Sequence, residues 1–84
     1  MINVIFFASL REQLGVGTAE IALADAPDID ALVNYLVQTN GDEWAEILRD
    51  DNNLVAVNQA LVSDTTTRLK AGDEVAFLPP VTGG

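Results

Sequence analysis

The sequence contains neither cysteine nor histidine in its 84 residues. Without cysteine there is no disulfide framework and no thiolate metal site. Without histidine the chain lacks Ser-His and Cys-His nucleophile pairs and the usual acid–base group at neutral pH. Its only lysine, Lys70, lies in a predicted turn, which gives little support for Schiff-base chemistry. We therefore expect a protein that holds no metal and is not catalytic on its own.

Positive charge is also scarce. Four basic residues stand against thirteen acidic ones, giving a net charge of −9 at pH 7 and a pI near 4.1. Such a field repels nucleic acid and anionic membranes, so we expect neither as a partner. It favours a basic docking face on another protein. The apolar run at residues 1–8 has no basic flank and is too short to span a bilayer, so we expect a cytoplasmic protein.

Stretches rich in β-branched and aromatic residues predict five strands, at residues 1–8, 18–23, 54–57, 60–62 and 74–78. In the first strand, alternation places Ile2, Val4, Phe6 and Ala8 on one face. Ile5 and Phe7 lie on the other. Asn58-Gln59 and residues 69–73 are predicted turns.

One long amphipathic helix separates these strands. Its buried stripe has helical spacing and consists of Ile29, Leu32, Val33, Leu36 and Val37. Asp28 is placed to cap its start, and Asn40-Gly41 ends it. A short helical turn is predicted at residues 10–14, closed by Gly15 and Gly17, and a second short helix at 42–49.

The order strand, strand, long helix, short helix, three strands predicts an α+β fold. One main helix packed across one face of a mixed sheet gives a two-layer architecture. The first and last strands are expected to be adjacent at the sheet centre, because both are apolar on both faces. This arrangement is the β-grasp, or ubiquitin-like, roll. We assign residues 1–78 to this domain and residues 79–84 to an extended C-terminal tail.

The tail is the most informative segment of the sequence. Pro79 and Pro80 favour an extended path and cannot donate to a sheet ladder, so strand pairing should stop at about Leu78. Six residues at about 3.1–3.4 Å each project roughly 20 Å. Gly83 and Gly84 present a carboxylate with no side chain near it, which suits a narrow tunnel in a partner.

The sequence resembles the ubiquitin-like family that includes the small, sulfur-carrying subunits of molybdopterin synthase. The resemblance runs end to end. It rests on residues 1–8 with Leu10-Arg11-Glu12, on Val57-Asn58-Gln59 with Leu61-Val62, on residues 72–77, and above all on residues 79–84. Leu78 departs from the pattern, because relatives often carry a second aromatic residue there.

The resemblance implies a specific chemistry for the tail. An E1-like enzyme that uses ATP would adenylate Gly84, and sulfur attack would convert it to a thiocarboxylate, with Gly83 as its slender stem. The sulfur would pass to cyclic pyranopterin monophosphate inside the large synthase subunit. The chain would form a heterotetramer with that subunit. The chain itself would bind no cofactor.

The resemblance and the apolar pattern together give a set of expected partner contacts. If the main helix covers one sheet face, Phe7, Leu61 and Leu78 are expected to form an apolar patch on the other. The family comparison also places Arg11 near partner surfaces. The full set of expected partner-binding residues is Phe7, Arg11, Leu61, Phe77, Leu78, Pro79, Pro80, Val81 and Thr82.

Three other functions stay open from sequence. A sulfur carrier for thiamine thiazole synthesis shares the fold, tail and activation chemistry, although Pro79-Pro80-Val81-Thr82 favours the molybdopterin branch. A ubiquitin-like modifier would instead join Gly84 to lysines of target proteins. A plain protein-binding module would tolerate deletion of both terminal glycines.

Overall fold

The structure, a computed structural model, describes residues 1–80. Its elements follow in the order β1 (Ile2–Phe6), α1 (Ala8–Leu14), β2 (Thr18–Ile21), a 3-10 turn (Leu23–Asp25), α2 (Ile29–Asn40), α3 (Asp42–Leu48), β3 (Leu54–Val57), β4 (Ala60–Val62) and β5 (Glu74–Leu78). Within these residues, no helix is long and apolar enough to cross a membrane.

The five strands form one mixed sheet in the order β2-β1-β5-β3-β4. β1 and β5 are parallel neighbours at its centre, and the remaining pairs are antiparallel. The predicted β-grasp architecture is therefore confirmed, including the central position of the first and last strands.

The core lies between one face of the sheet and the helices. Ile2, Val4 and Phe6 of β1 face it, as their alternation predicts, and are at most 1% exposed. α2 contributes Ile29, Leu32 and Leu36, each at most 1% exposed. Asp28 caps α2, because its Oδ1 accepts a hydrogen bond of 2.7 Å from the backbone N–H of Ala31.

Several predicted boundaries differ from the structure, of which the end of α3, at Leu48 instead of residue 49, differs least. β1 ends at Phe6, and the exposed Ala8 begins α1 instead of continuing the strand. Burial of Leu10 and Leu14 against the core outweighs the strand preference of the preceding residues. β2 ends at Ile21 and not at Leu23, because the chain turns through the 3-10 segment towards α2.

Candidate functional site

The sheet face opposite the helices carries an apolar row that crosses four strands. The strand registers pair Ile5 with Ala76, Ala76 with Ala56, and Ala56 with Leu61. The two alanines are 6% and 7% exposed and form a floor, whereas Leu61 is 67% exposed. The row thus runs from a shallow centre to a prominent leucine on the edge strand β4.

A second apolar row lies beside it, at the end of β5. Leu78 pairs with Leu54 on one side. On the other side, the backbone N–H of Phe7 donates a 3.0 Å hydrogen bond to the carbonyl of Phe77, which sets Phe7 beside Leu78. Phe7 is 44% exposed and Leu78 is half-buried. We call Ile5, Phe7, Ala56, Leu61, Ala76 and Leu78 the open-face patch.

The other end of the same face is polar and acidic. Asn3 pairs with Glu74 on β5 and with Glu20 on β2. The open face is therefore divided along the strands, with carboxylates where β5 begins and apolar side chains where β5 ends. An apolar surface bordered by charge is typical of protein interfaces, whose cores are depleted of charged residues.

The structure separates the expected contact residues into different environments. Phe7, Leu61 and Leu78 lie on the open face, and Arg11 is exposed on α1. Phe77 is 1% exposed and points into the core, where its ring stacks on Phe6 with centroids 5.7 Å apart. The expectation that the Phe77 side chain offers contact surface is therefore corrected: β5 alternates, so Phe77 faces the helices and Leu78 faces outward.

The tail begins where the sheet ends. β5 ends at Leu78, as the two prolines predict, with Pro79 half-buried and Pro80 exposed. The strand therefore ends beside Phe7, within the apolar half of the open face. Val81, Thr82, Gly83 and Gly84, which carry the remaining sequence predictions, lie outside the described residues.

A polar network holds the hairpin that displays Leu61. Asn58 and Gln59 have φ of 51° and 69°, the pattern of a two-residue hairpin turn between β3 and β4. Asn58 Nδ2 donates to Asp73 Oδ1 at 3.0 Å, and Asn58 Oδ1 accepts from the Glu74 N–H at 3.0 Å. The hydrogen bond from Asn58, followed by one from the Lys70 N–H, lowers the pKa of Asp73.

Sequence reasoning missed this network, although one signal was available. It predicted Asn58 as a turn residue and Asp73 as part of another turn, without relating the two. An asparagine at a tight hairpin turn has an amide free to bond elsewhere. The antiparallel pairing of β3 with β5, which brings Val57 opposite Val75, sets the two turns side by side.

A groove of about 670 Å³ lies on the helix-covered side, between α2 and the β3–β4 end of the sheet. Asp30, Asp50, Asp51 and Asp64 stand among its lining residues. Asp50 and Asp64 are used locally, since each accepts a backbone N–H two residues ahead. Within residues 1–80, no three His, Cys, Asp or Glu side chains are grouped closely enough to hold a metal ion.

Comparison with known proteins identifies the family. A model of the ThiS family matches residues 4–84. The chain belongs to the ThiS family. Within it, the chain is similar to the molybdopterin synthase sulfur carrier subunit of Escherichia coli (strain K12), with 50% identity over 84 residues and 100% of both chains covered. The subunit of the same name from Haemophilus influenzae is 44% identical, again over 100% of both chains.

Solved structures related to this ThiS family member agree with its fold. A chain in the complex of subunits 1 and 2 of molybdopterin-converting factor from Helicobacter pylori 26695 superposes with a TM-score of 0.69 at 29% identity. The match covers 99% of this chain and 97% of that one. Small archaeal modifier protein 1 from Haloferax volcanii gives a TM-score of 0.76 at 24% identity over 99% and 98% of the two chains, which supports the fold alone.

Proposed function

We propose that this chain is a sulfur carrier in molybdenum cofactor synthesis. Gly84 is adenylated, converted to a thiocarboxylate, and then donates sulfur to cyclic pyranopterin monophosphate in the large subunit of molybdopterin synthase. The observation that carries the proposal is the similarity to the Escherichia coli sulfur carrier subunit over the whole of this chain, Gly83 and Gly84 included in the matched length.

The proposed chemistry takes place at a backbone carboxylate. A carboxylate oxygen of Gly84 attacks the α-phosphate of ATP, and pyrophosphate leaves. Hydrosulfide released by a donor then attacks the acyl carbon, AMP leaves with the carboxyl oxygen, and the thioacid loses its proton to give the thiocarboxylate. Two steps are needed because a free carboxylate has no good leaving group, whereas the acyl-adenylate has one. No side chain of this chain takes part, which fits the absence of cysteine and histidine.

The proposal gives separate roles to the folded domain and to the tail. The open-face patch would dock the body against the partner, and the tail would reach the partner's reaction site. Phe7 and Leu78 border the point at which the tail leaves the sheet. Docking on these residues would therefore hold the start of the tail at a fixed distance from the partner's catalytic pocket, which converts sulfur delivery into an intramolecular step.

We propose two protein partners, the large synthase subunit in a heterotetramer and an E1-like adenylating enzyme. The name of the Helicobacter pylori complex, which pairs two subunits of one converting factor, supports the first. The net charge of −9 favours partners with basic faces. The chain would bind no cofactor of its own, since the activating enzyme would hold the ATP. We propose a cytoplasmic location, which the proposed dependence on ATP supports.

The test is mass spectrometry of the C-terminal peptide after incubation with ATP, a sulfide source and the E1-like enzyme. The intact chain should show one oxygen replaced by sulfur. Deletion of Gly84, or addition of one residue after it, should abolish the change, while Gln38→Ala, at an exposed position of α2, serves as a control variant that retains it. Sulfur transfer that persists without Gly84 would overturn the proposal.

A graded pair of tail variants tests the narrow-channel argument. Gly83→Val should block transfer more strongly than Gly83→Ala, because a β-branched side chain restricts the backbone and widens the strand. Equal activity of both variants would contradict the channel argument. High-mass adducts on immunoblots that disappear with Gly84 would indicate a protein modifier instead, and restored thiazole synthesis in place of pterin sulfuration would indicate the thiamine branch.

A further inference from the structure

The groove between α2 and the β3–β4 end of the sheet lies where the helices cease to cover the sheet. One row of the covered face crosses four strands, in the order Phe6, Phe77, Val55 and Val62. Both phenylalanines are 1% exposed, whereas the two valines are only half-buried. Phe77, Val55 and Val62 line the groove and give it an apolar floor.

The helices add apolar surface to the same groove. The helical stripe of α2 predicts burial of Val33, yet Val33 is only half-buried and lines the groove. Leu48, the last residue of α3, lines it as well. Pockets that bind ligands have volumes of about 300–1,000 Å³. The groove, at about 670 Å³, therefore has room for side chains of another molecule.

The charge around the groove is mostly negative. Its lining includes four exposed aspartates, which are Asp30, Asp50, Asp51 and Asp64. Among the described residues that line it, only Arg49 is basic, and its guanidinium donates to Asn34 Oδ1. Hydrogen bonds from Thr66 lower the pKa of Asp64, so this carboxylate stays charged. The rim therefore attracts cationic groups and repels anionic ones.

The groove also lies close to the point at which the tail leaves the sheet. Asn53 and Leu54 line it at the start of β3, and Leu54 pairs with Leu78, the last residue of β5. Its floor belongs to the covered face, on the opposite side of the sheet from the open-face patch. A protein seated in the groove would therefore stand near the tail and leave the open-face patch free.

We propose that the groove docks a basic segment of a second protein while the large subunit occupies the open-face patch. An aliphatic side chain of that segment lies on the valine floor, and its lysines or arginines meet the aspartate rim. Long basic side chains suit this site, because their stems cover apolar surface while their charged ends reach the carboxylates. A second copy of this chain, with a net charge of −9, is repelled, and residues 79–84 carry no basic side chain.

The probe is an acetylated, amidated peptide in which three adjacent aliphatic residues have two arginines on each side, titrated into the ¹⁵N-labelled chain. Amide signals of Val33, Val55 and Val62 should shift, while those of Ile5 and Leu61 stay in place. Shifts centred on the open face would overturn the proposal. A peptide with serines in place of the aliphatic residues should bind about tenfold more weakly. Equal binding of the two peptides would show attraction by charge alone and would also overturn it.

Matched pairs of substitutions separate charge at the groove from net charge. Asp30→Asn with Asp51→Asn should raise the Kd of the peptide about tenfold at about 0.1 M salt, where charges more than about 10 Å apart are screened. Glu12→Gln with Glu20→Gln makes the same change of net charge at exposed positions on α1 and β2. This control pair should raise the Kd less than about twofold. Equal losses in the two pairs would overturn the role of the rim.

The floor is tested by one substitution at two positions. Val62→Thr keeps a β-branched side chain in the strand but adds a hydroxyl, and should raise the Kd about threefold. Val57→Thr is the control, because Val57 is half-buried on the same face and is not among the described residues that line the groove. It should leave the Kd unchanged, and equal effects at the two positions would overturn the role of the floor.

A final titration tests simultaneous docking, the one part of the inference that rests on the proposed function. The peptide should bind the complex with the large subunit with a Kd within about twofold of that for the free chain. Loss of peptide binding in the complex would overturn simultaneous docking. Failure of the large subunit to bind would count against the proposed function, while peptide binding to the free chain would still decide whether the groove is a docking site.

Discussion

The two faces of β5 differ although one strand makes both. Val75 and Phe77 point towards the helices and are at most 1% exposed. Ala76 and Leu78 point the other way, onto a face that none of the described helices covers. A strand that is apolar on both sides normally lies between two layers. Residues 1–80 supply one of those layers, and we expect a partner to supply the other.

The two faces are also built from different side chains. The covered face packs large rings, with Phe6 stacked on Phe77 and Trp44 set edge-on to Phe6 at 5.6 Å. The open face has alanines at its centre and larger side chains towards its margin. A shallow floor with a raised rim receives a complementary surface without leaving a large apolar area exposed in the free protein. We expect mutations on the covered face to lower stability and mutations on the open face to weaken binding.

The largest effect should come from Phe77→Ala on the covered face. Removal of a buried aromatic ring leaves a cavity, so the free energy of unfolding should fall by about 3–5 kcal/mol. Urea denaturation followed by circular dichroism measures the loss. The neighbouring Leu78→Ala on the open face should cost much less, and equal losses at the two positions would contradict the assignment of faces.

Leu61→Asp should have the next largest effect, on binding alone. A charge at the prominent end of the apolar row should weaken the complex with the large subunit by about 2 kcal/mol, or about thirtyfold in Kd. Because Leu61 is 67% exposed, stability should change by less than about 0.5 kcal/mol. Phe7→Asp should behave in the same way. Unchanged affinity in both variants would remove the patch from the interface.

Asp28→Ala tests the covered side without touching the core. Loss of the cap at the start of α2 should cost about 1 kcal/mol of unfolding free energy. Affinity for the large subunit should not change, since α2 lies on the opposite side of the sheet from the patch. Calorimetric titration of this variant checks the point, and a weakened complex would indicate that the helices also contribute to docking.

Asn58→Ala should have the smallest effect, and one that depends on pH. The hydrogen bond from Asn58 lowers the pKa of Asp73. The stability that this bond contributes is therefore present above the ordinary carboxyl pKa and is lost as pH falls through the lowered pKa of Asp73. The variant should be less stable by under about 1 kcal/mol at pH 7, because these groups are exposed to water. In urea titrations the difference from the parent should narrow from neutral to acidic pH without vanishing, because the bond from the Glu74 N–H and the positive φ of Asn58 do not depend on pH. A constant difference would contradict the link to Asp73.

Local pattern was sufficient to predict most of the fold. The helical stripe of α2, the cap at Asp28 and the alternation of β1 each depend on residues close in sequence, and the structure confirms them. The central pairing of β1 with β5 followed from their apolar character on both faces. The predicted start of α1 was wrong, because the burial of Leu10 and Leu14 decides where Ala8 lies, and not the strand preference of the residues around it.

Contacts between residues that are distant in sequence were harder to predict. Phe77 and Leu78 are adjacent and both apolar, so only the position of the helices decides which of them faces outward. A Cβ built on Gly17 would lie 2.9 Å from Arg11 Nε, a contact that depends on where α1 lies relative to the start of β2. The link from Asn58 to Asp73 depends on the pairing of β3 with β5.

The most direct test of the central claim, that the open face of the sheet is the docking surface, is an NMR titration of the ¹⁵N-labelled chain with the unlabelled large subunit. Amide signals of Ile5, Phe7, Leu61 and Leu78 should shift or broaden, together with those of the tail, while signals of α2 from Leu32 to Leu36 should stay unchanged. Perturbation centred on α2, with the open-face signals unmoved, would contradict the account.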